Sequence, residues 1–510
     1  MAQENLNKRF KWEPIMILVT AFQLITAAPV IFDEKINLKL VALYGAYILL
    51  EWFYFILASA IGCQNNFELE IIGFLFSGIG MTICASGCSD TYAIKQGISI
   101  VLGLFTFIFL LCILRRTDIV MKLRMPIAFA AVGLLAINLA LAEYRNGALN
   151  WITIKGFSIQ PSEFVKLAFI FVGAASLDKL QSARSLTKYL VFSFVCVGAL
   201  FLMRDFGTAL IFFFTFIVIA FMRSGDIRTI GLVCVAAALG AIMIIYFRPT
   251  VAARFSTYRH IWDLMNEQGM QQTRVLIYSA SGGLFGLGIG DGKLMNVFAA
   301  TTDLVFGMLC EEWGMIVAFT VVLTYVFILL YAIKAARTTR SAFYAIAACA
   351  SAGLMLFQAG LNIFGVTDIV PLTGVTLPFI SRGGSSMICS WGLLAFIKAT
   401  DIRTYPKLSR TILPDHPLYP PDVRMYKPRP RRNVNVPPIV GEPINAPQRT
   451  PTQSASRPQV RYKPASSQQK DIPVSRAKKP ASQKAPNVTV KRANSKDVPR
   501  SRRSNGGGKR

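Results

Sequence analysis

The sequence predicts an all-α polytopic membrane protein with about twelve transmembrane helices. Of its 510 residues, 53% are hydrophobic and only 16% are charged, and the mean hydropathy is +0.47. A soluble protein of this length is much less apolar. From residue 14 to about residue 397 the chain is a series of apolar runs, each long enough to cross a hydrocarbon layer of about 30 Å as a helix.

The predicted spans follow one another with mostly short connections. They are 14–32, 38–62, 71–87, 97–114, 126–142, 163–178, 188–203, 207–222, 229–247, 304–333, 341–365 and 374–397. The first span follows Lys8, Arg9 and Lys11, as the apolar part of a signal peptide would. Because a second span follows at once, a retained helix is favoured.

Basic residues concentrate in alternate connections, such as those that hold Arg115, Arg116, Arg223 and Arg228. The positive-inside rule therefore predicts a cytoplasmic membrane location with both termini in the cytoplasm. On this topology the one long loop, residues 248–303, lies outside.

Residues 401–510 have a different composition from the rest of the chain. They contain 25 Lys and Arg, six Asp and Glu, and 18 of the 25 prolines. Such a segment cannot bury enough apolar surface to fold, so a disordered cytoplasmic tail is predicted. We expect its charge to attract anionic membrane lipids, and a docking site for a protein or a plain solvated linker are alternatives. Nucleic acid is not an expected partner, because stacking aromatic residues are not interleaved with the charges.

Two residue types give no sign of a metal or disulfide site. The nine cysteines lie almost wholly in predicted helices without a repeated spacing, and there are only two histidines. Neither a disulfide framework nor a zinc site is predicted.

Four clusters of polar and charged residues lie within or beside apolar spans, where charge is costly and so indicates function. They are "NWITIKGFSIQPSEFVKL" at 150–167, "MRDFGTAL" at 203–210, "TTDLVFGMLCEEWG" at 301–314 and "VPLTGVTLPFISRGGSSM" at 370–387. On the predicted topology all four lie at the outer face, and this convergence predicts a site there.

The first two clusters each offer a charged group with a structural alternative. Glu163 and Lys166 are three apart, so their side chains meet on one helix face and predict an ion pair entering the membrane. An interfacial pair that only anchors the helix is the alternative. Asp205 precedes Gly207 between two apolar runs, where this motif alone favours a plain turn aspartate.

The last two clusters offer an acid and an anion-binding turn. In "SRGGSS", backbone N–H groups, Arg382 and the hydroxyls of Ser381, Ser385 and Ser386 form a candidate anion cradle. Asp303 heads an apolar span, where an aspartate can also cap the helix. Glu311 and Glu312 lie two to three turns deeper and are expected to satisfy polar partners within the bundle.

In combination, these motifs resemble those of the SEDS family (shape, elongation, division and sporulation), the RodA, FtsW and SpoVE group. The resemblance extends over about residues 65–400 and includes "GMQQTRVLIYSASGGLFGLGIGDG" in the outer loop. The family core has ten spans, which align from about residue 71. Residues 1–64 are therefore expected to add two helices at the amino terminus.

The resemblance implies a peptidoglycan glycosyltransferase that polymerises lipid II outside the cytoplasmic membrane together with a class B penicillin-binding protein. It implies that Asp303 is catalytic, that Glu163 and Lys166 line its cavity, and that Asp205 matches a family aspartate. The catalytic carboxylate would accept a proton from the attacking hydroxyl or hold a divalent cation, Mg or Mn, against the pyrophosphate. No metal-ligand set is assigned from the sequence.

Two departures from the family pattern add positive charge. Arg204 replaces the usual proline before Asp205, and Arg382 replaces the usual tyrosine of "SYGGSS". Two other functions remain alternatives at this point, a lipid II flippase or other transporter and a non-catalytic scaffold of the cell-wall synthesis machinery. Whether the chain serves elongation, division or sporulation is open.

Overall fold

The computed structural model confirms a helical, polytopic membrane protein. It describes residues 11–32, 36–61, 66–145, 148–154, 157–177, 183–224, 256–267, 269–339 and 341–405, and a few isolated positions between 228 and 246. Almost all of the predicted span 229–247, the first part of the predicted outer loop and the predicted tail beyond residue 405 lie outside the described residues.

The described helices follow the order of eleven of the twelve predicted spans. They are α1 (Glu13–Ile31), α2 (Leu38–Ala60), α3 (Glu68–Gly87), α4 (Asp90–Leu114), α5 (Thr117–Leu141), α6 (Pro161–Leu177), α7 (Ala183–Leu202), α8 (Phe206–Ser224), α9 (Met270–Ser281), α10 (Val305–Met308), α11 (Gly314–Ala336), α12 (Ala342–Val366) and α13 (Gly384–Thr400). The predicted span 304–333 is divided between α10 and α11, and α9 lies in the predicted outer loop. Helices α4 and α5 begin earlier than predicted, because they continue through polar residues that an apolar run excludes.

Helix α13 lies at the centre of the bundle, where it packs against α4, α6 and α12. Its Trp391 is fully buried and makes edge contacts with the rings of Phe74 and Phe107, at centroid distances of 5.0 and 5.6 Å. A Cβ atom at Gly73 or Gly103 would lie 2.9 or 2.6 Å from the Trp391 ring. Small residues on α3 and α4 therefore make room for the tryptophan, as expected for packing between membrane helices.

The helix predicted over residues 374–397 is wrong at its start. It begins only at Gly384, and residues 374–383 re-enter the bundle as extended chain and turns. Non-helical backbone at this depth must find hydrogen-bond partners within the protein. The Tyr325 hydroxyl donates to Pro378 O at 2.6 Å, and Phe379 N donates to the Ser390 hydroxyl at 3.3 Å. Side chains thus replace the bonds that a helix would have made.

The span predicted over 304–333 is broken near its beginning. Helix α10 is followed by a π-helical turn, Leu309–Trp313, and Gly314 has a φ of +84°. The loop 282–288 inserts its backbone into this break. Leu287 N donates to Glu311 O at 2.9 Å, and Met315 N donates to Gly283 O at 3.0 Å. The loop therefore satisfies backbone groups on both sides of the break.

A small antiparallel sheet, which the sequence analysis did not predict, connects α5 to α6. Its strands are β1 (Glu143–Arg145), β2 (Ala148–Ile154) and β3 (Phe157–Ile159), in the order β1-β2-β3. The pairs Asn146-Gly147 and Lys155-Gly156 separate the strands in the sequence. Such glycine-containing pairs between β-branched and aromatic residues are a hairpin signal.

A cluster of buried charges lies at the other end of α13. Lys398 is paired with Glu70 at 2.6 Å. Arg403 reaches Asp401 at 2.7 Å and Glu68 at 2.8 Å. Burial alone would raise the pKa of Asp401, but the bonds from Arg403 hold that pKa below its ordinary value. These pairs attach the end of α13 to the beginning of α3.

The inserted loop gives a test of the helix break. Gly286 and Gly283 both have positive φ values, +85° and +57°, but only a Cβ at Gly286 would meet another group, Glu312 O, at 2.3 Å. We expect Gly283→Ala to cost about 1–2 kcal/mol, the penalty of the left-handed conformation. Gly286→Ala should lower the apparent Tm in detergent several times more, because the loop must leave the break. Equal Tm values for the two variants would contradict the inserted-loop account.

Candidate active site

The four sequence clusters meet around one cavity of about 530 Å3. Its wall combines the beginnings of α4, α6, α8 and α13, strands β2 and β3, the turn before α10, one side of α12 and the segment 373–376. Seven charged residues line it, and they are Lys95, Glu163, Lys166, Arg204, Asp205, Asp303 and Arg382. Five of the six predicted site residues are therefore in the wall. The sixth, Ser385, is not.

Glu163 and Lys166 form a buried ion pair at the beginning of α6. Pro161 opens this helix, as suits the first helical position. The Lys166 ammonium lies 2.8 Å from Glu163 Oε1 and 2.9 Å from Gln358 Oε1 on α12. Both charged side chains are nearly inaccessible to solvent. The predicted contact is thus present, and it lies inside the cavity wall rather than at the exposed surface of a helix.

Asp205 is held by three hydrogen-bond donors. Its Oδ1 accepts from Thr208 N at 3.1 Å, so it caps α8. Its Oδ2 accepts from the amides of Asn150 at 3.1 Å and Gln160 at 3.2 Å. The turn-aspartate alternative therefore describes its local role well. Its carboxylate also connects β2 and the beginning of α6 to α8, and it faces the cavity.

Asp303 lies in the turn that leads into α10, and it is partly buried. The N-cap position of α10 is Leu304, so Asp303 precedes the cap by one residue. Its own backbone carbonyl accepts a 2.8 Å hydrogen bond from Asn362 on α12. A carboxylate in this position faces the cavity from a turn that the neighbouring helix holds in place.

The two deeper glutamates are engaged inside the protein, as the sequence predicts. Glu311 accepts from Lys293 N at 2.7 Å and from Leu294 N at 2.9 Å. Glu312 accepts from the Ser86 hydroxyl at 3.0 Å. Neither residue lines the cavity. They support the loop between α9 and α10 and the end of α3, and they leave Asp303 as the acid of this cluster that faces the cavity.

Arg382 is fixed next to the Asp303 turn. Its backbone N donates to Thr301 O at 2.8 Å, and its guanidinium lies 4.6 Å from the centroid of the Tyr92 ring. Its Nη1 also contacts Cys88 Sγ at 3.1 Å. A cation over an aromatic face is stabilised by the ring quadrupole. Tyr92 thus holds a positive charge at the cavity wall.

The serines of "SRGGSS" are turned into the protein instead of the cavity. The Ser381 hydroxyl donates to Thr302 O at 2.6 Å, and that of Ser386 pairs with Thr376 at 2.9 Å. The Ser385 hydroxyl accepts from Gln160 N at 3.3 Å behind the wall. Of the predicted anion cradle, Arg382 and the following two glycines face the cavity.

The lining carries four cationic side chains and three carboxylates, a formal difference of +1. Glu163 and Lys166 neutralise each other as an ion pair. The other charged residues of the wall are three cations, Lys95, Arg204 and Arg382, and two carboxylates, Asp205 and Asp303. In a partly desolvated cavity such charges interact more strongly than in water. The arrangement suits a polyanionic group held near a carboxylate.

Comparison with known proteins gives the family. The FtsW, RodA and SpoVE model, described as a cell cycle protein, matches residues 48–405. The chain belongs to the FtsW/RodA/SpoVE family. The match begins within α2, so α1 and the first part of α2 precede it.

The chain is similar to two named relatives and to one solved structure, among others. It is 30% identical over 274 residues to peptidoglycan glycosyltransferase RodA of Mycobacterium tuberculosis (strain ATCC 25618 / H37Rv), a match that covers 51% of this chain and 58% of the relative. It is 31% identical over 273 residues to stage V sporulation protein E of Bacillus subtilis (strain 168), covering 52% of this chain and 74% of that protein. A chain of a peptidoglycan synthase complex superposes with a TM-score of 0.55 at 22% identity, over 66% of this chain and 97% of that one, which shows a shared fold.

Sequence reasoning missed several polar residues of this FtsW/RodA/SpoVE cavity. Asn150, Gln160 and Gln358 each hold a charged site residue. A signal was available for Gln358, because a carboxamide inside an apolar span is costly unless it has partners. Lys95 lies just before the predicted span 97–114, where a lysine is also typical of a solvated connection.

The ion pair of α6 gives a test of the cavity wall. Lys166→Met leaves Glu163 buried and unpaired, at a cost of about 3–5 kcal/mol, and also removes the donor to Gln358. Glu163→Gln keeps an oxygen acceptor for the lysine, so it should cost less. In the double variant the fall in apparent Tm should be clearly smaller than the sum of the two single falls.

A control pair with the same spacing is available in the segment before α9. His260 and Asp263 are three apart, lie 3.4 Å from each other and are exposed. His260→Asn and Asp263→Asn should be additive and nearly neutral. Strict additivity at Glu163 and Lys166 as well would show that the pair does not couple.

Proposed function

We propose that this FtsW/RodA/SpoVE family member is a peptidoglycan glycosyltransferase that polymerises lipid II into glycan strands at the outer face of the cytoplasmic membrane. The observation that carries the proposal is the position of Asp303 in one cavity with Lys95, Arg204 and Arg382. The M. tuberculosis relative is a peptidoglycan glycosyltransferase by name. Because the chain spans about 58% of the length of that relative, the activity of the whole protein remains a proposal.

The reaction needs one proton acceptor and a site for a leaving diphosphate. The 4-hydroxyl of one sugar attacks the anomeric carbon of another, and its proton passes to the Asp303 carboxylate. The new bond joins the anomeric carbon to that oxygen, while the bond from the same carbon to the lipid diphosphate breaks. A positioned general base contributes about 10²- to 10⁴-fold.

The cationic residues of the wall suit the diphosphate. Arg382 is braced on Tyr92 beside the Asp303 turn, and Lys95 lies on the same helix as Tyr92. Preorganised cations next to developing negative charge are an effective form of catalysis in a cavity that excludes water. Glu163 and Lys166 would contact the sugars or phosphates from the opposite helix, with Asp205 shaping the same wall. We place Ser385 behind Gln160 as a support of the substrate site.

A divalent cation, Mg or Mn, fits this site in one way. Among the described residues no group of three or more His, Cys, Asp or Glu could hold a metal ion. Magnesium commonly binds through one or two carboxylates together with substrate phosphates. Asp303 would be the ligand from this chain, and the ion would then offset negative charge on the diphosphate.

The partner proposal is a class B penicillin-binding protein. The structural neighbour belongs to a peptidoglycan synthase complex that coordinates polymerization and crosslinking. A crosslinking partner is therefore reasonable for this chain as well. Membrane lipids surround the exposed apolar faces of α1, α2, α4 and α5.

Replacement of Asp303 tests the catalytic proposal. Asp303→Asn keeps the size of the side chain but removes its charge and basicity, so polymerisation of lipid II by the purified protein with its partner should fall by about a hundredfold or more. The apparent Tm should change little, because the residue precedes the N-cap. Asp263→Asn, an exposed aspartate of the outer loop, is the matched control.

The outcomes separate the candidate functions. A fully active Asp303→Asn variant would remove Asp303 from the chemistry. A parent protein that moves lipid II across a vesicle bilayer but makes no strands would be a transporter instead.

The orientation that this function requires can be tested independently. With both termini in the cytoplasm, Asn266 lies outside and Lys334, near the end of α11, lies inside; both side chains are exposed. In a background without the exposed Cys112 and Cys234, an impermeant thiol reagent should label Asn266→Cys in intact cells. Lys334→Cys should react only after permeabilisation. The reverse labelling pattern would place the cavity on the cytoplasmic side.

A further inference from the structure

Helix α12 carries two buried carboxamides one turn apart, Gln358 and Asn362, which we call the carboxamide pair. Their exposed fractions are 3% and 2%. Residues four apart lie on the same face of a helix, and on this face Gln358 lines the cavity while Asn362 lies one turn further along α12. Polar side chains in an apolar span are costly, so they are retained where they have specific partners.

Gln358 uses both ends of its amide. Its Oε1 accepts from the Lys166 ammonium at 2.9 Å, and its Nε2 donates to Thr376 O at 2.8 Å and to the Thr376 hydroxyl at 3.2 Å. Because an ammonium group can only donate, the oxygen of Gln358 must face Lys166. The amide orientation is thereby fixed, and Lys166 is tied to the segment at Thr376.

Asn362 uses its amide nitrogen twice. Nδ2 donates to Asp303 O at 2.8 Å and to Val375 O at 2.7 Å. The reversed orientation would place the Asn362 oxygen against two carbonyl oxygens, so this amide is also fixed. The backbone of Asp303 is thus tied to the residue next to Thr376.

Through these bonds the adjacent residues 375–376 connect the two charged groups. We propose that the carboxamide pair positions the Lys166 ammonium and the Asp303 carboxylate relative to each other, with neither amide touching the reacting atoms. The catalytic meaning of this role rests on the proposed function. The competing account is that the two amides only stabilise α12 by satisfying buried carbonyls.

Two measurements distinguish positioning from general stabilisation. The first is hydrogen–deuterium exchange of a peptide covering residues 299–304, in which Thr302 N and Leu304 N are bonded to Ala299 O. Asn362→Leu should speed exchange there at least several-fold, because the turn loses its connection to α12. Gln358→Met should change this exchange much less, because Asn362 still donates to Asp303 O in that variant.

The second measurement is polymerisation of lipid II at varied substrate concentration. Each variant should lower kcat by about 10- to 100-fold with a much smaller change in KM, as expected when a reacting group is displaced by about 1 Å. The loss of kcat in the double variant should be less than the product of the single losses, since both amides bond the same segment, residues 375–376. Should Asn362→Leu fail to fold, Asn362→Ser provides a smaller change that cannot span both carbonyls.

A matched control is Asn138→Leu. Asn138 is a fully buried asparagine of α5, and its amide nitrogen contacts only the Met203 sulfur among the bonds observed for it, at 2.9 Å. This variant should leave exchange at residues 299–304 and kcat within about twofold of the parent. If it lowers kcat as much as Asn362→Leu does, a general stability effect explains both and the positioning proposal is wrong.

The remaining outcomes are also decisive. Unchanged exchange and unchanged kcat in Asn362→Leu would overturn the proposal. A parent protein that makes no glycan strands would remove the proposed function, and the exchange experiment would still decide whether Asn362 holds the Asp303 turn.

Discussion

The site depends on one constraint, that non-helical backbone at membrane depth must be hydrogen-bonded within the protein. The chain meets it in two places next to each other, the break before α11 and the re-entrant segment 374–383. Backbone of the loop 282–288 supplies partners at the break, and side chains of α11, α12 and α13 supply them for the re-entrant segment. Continuous helices would need no such partners, but Arg382 and Asp303 would then lie on two separate helices. The irregular segments allow Arg382 N to bond Thr301 O directly.

The three cavity carboxylates have different hydrogen-bond partners and therefore different roles. Glu163 is neutralised by Lys166, whose remaining contact is to a carboxamide. Asp205 accepts three hydrogen bonds and holds the sheet to α8. Asp303 is positioned by the hydrogen bond from Asn362 to its backbone carbonyl, and the N-cap of α10 is the next residue, Leu304. The backbone bond of Asp303 fixes the turn that brings its carboxylate to the cavity wall, and this difference between the three carboxylates is visible only in three dimensions.

Sequence reasoning predicted the helices well because a 20-residue apolar run has few alternatives in a membrane. It also brought Glu163, Lys166, Asp205, Asp303 and Arg382 to one face, since charge beside apolar spans is costly. Sequence reasoning failed where hydropathy does not determine whether buried apolar residues form a helix or an extended chain. The apolar residues Val375, Leu377 and Ile380 are as buried as a helix would make them, yet they belong to extended chain and turns. The serines of the predicted cradle and the amides of α12 were misjudged or missed, because several of their partners are distant in the sequence, such as Thr302 for Ser381 and Lys166 for Gln358.

The far end of α13 completes this account of rigidity. A buried pair such as Lys398 and Glu70 adds little net stability, because desolvation cancels most of the attraction, but losing one partner is expensive. Its value is therefore to fix the axial position of α13, as do the contacts of Arg403 with Asp401 and Glu68. Since α13 is a buried helix of 17 residues, a position fixed at its end is transmitted to its beginning, where Gly383 and Gly384 form the cavity wall. A slip of α13 by one residue would move that wall by about 1.5 Å, which is larger than the misplacement that a reacting geometry tolerates.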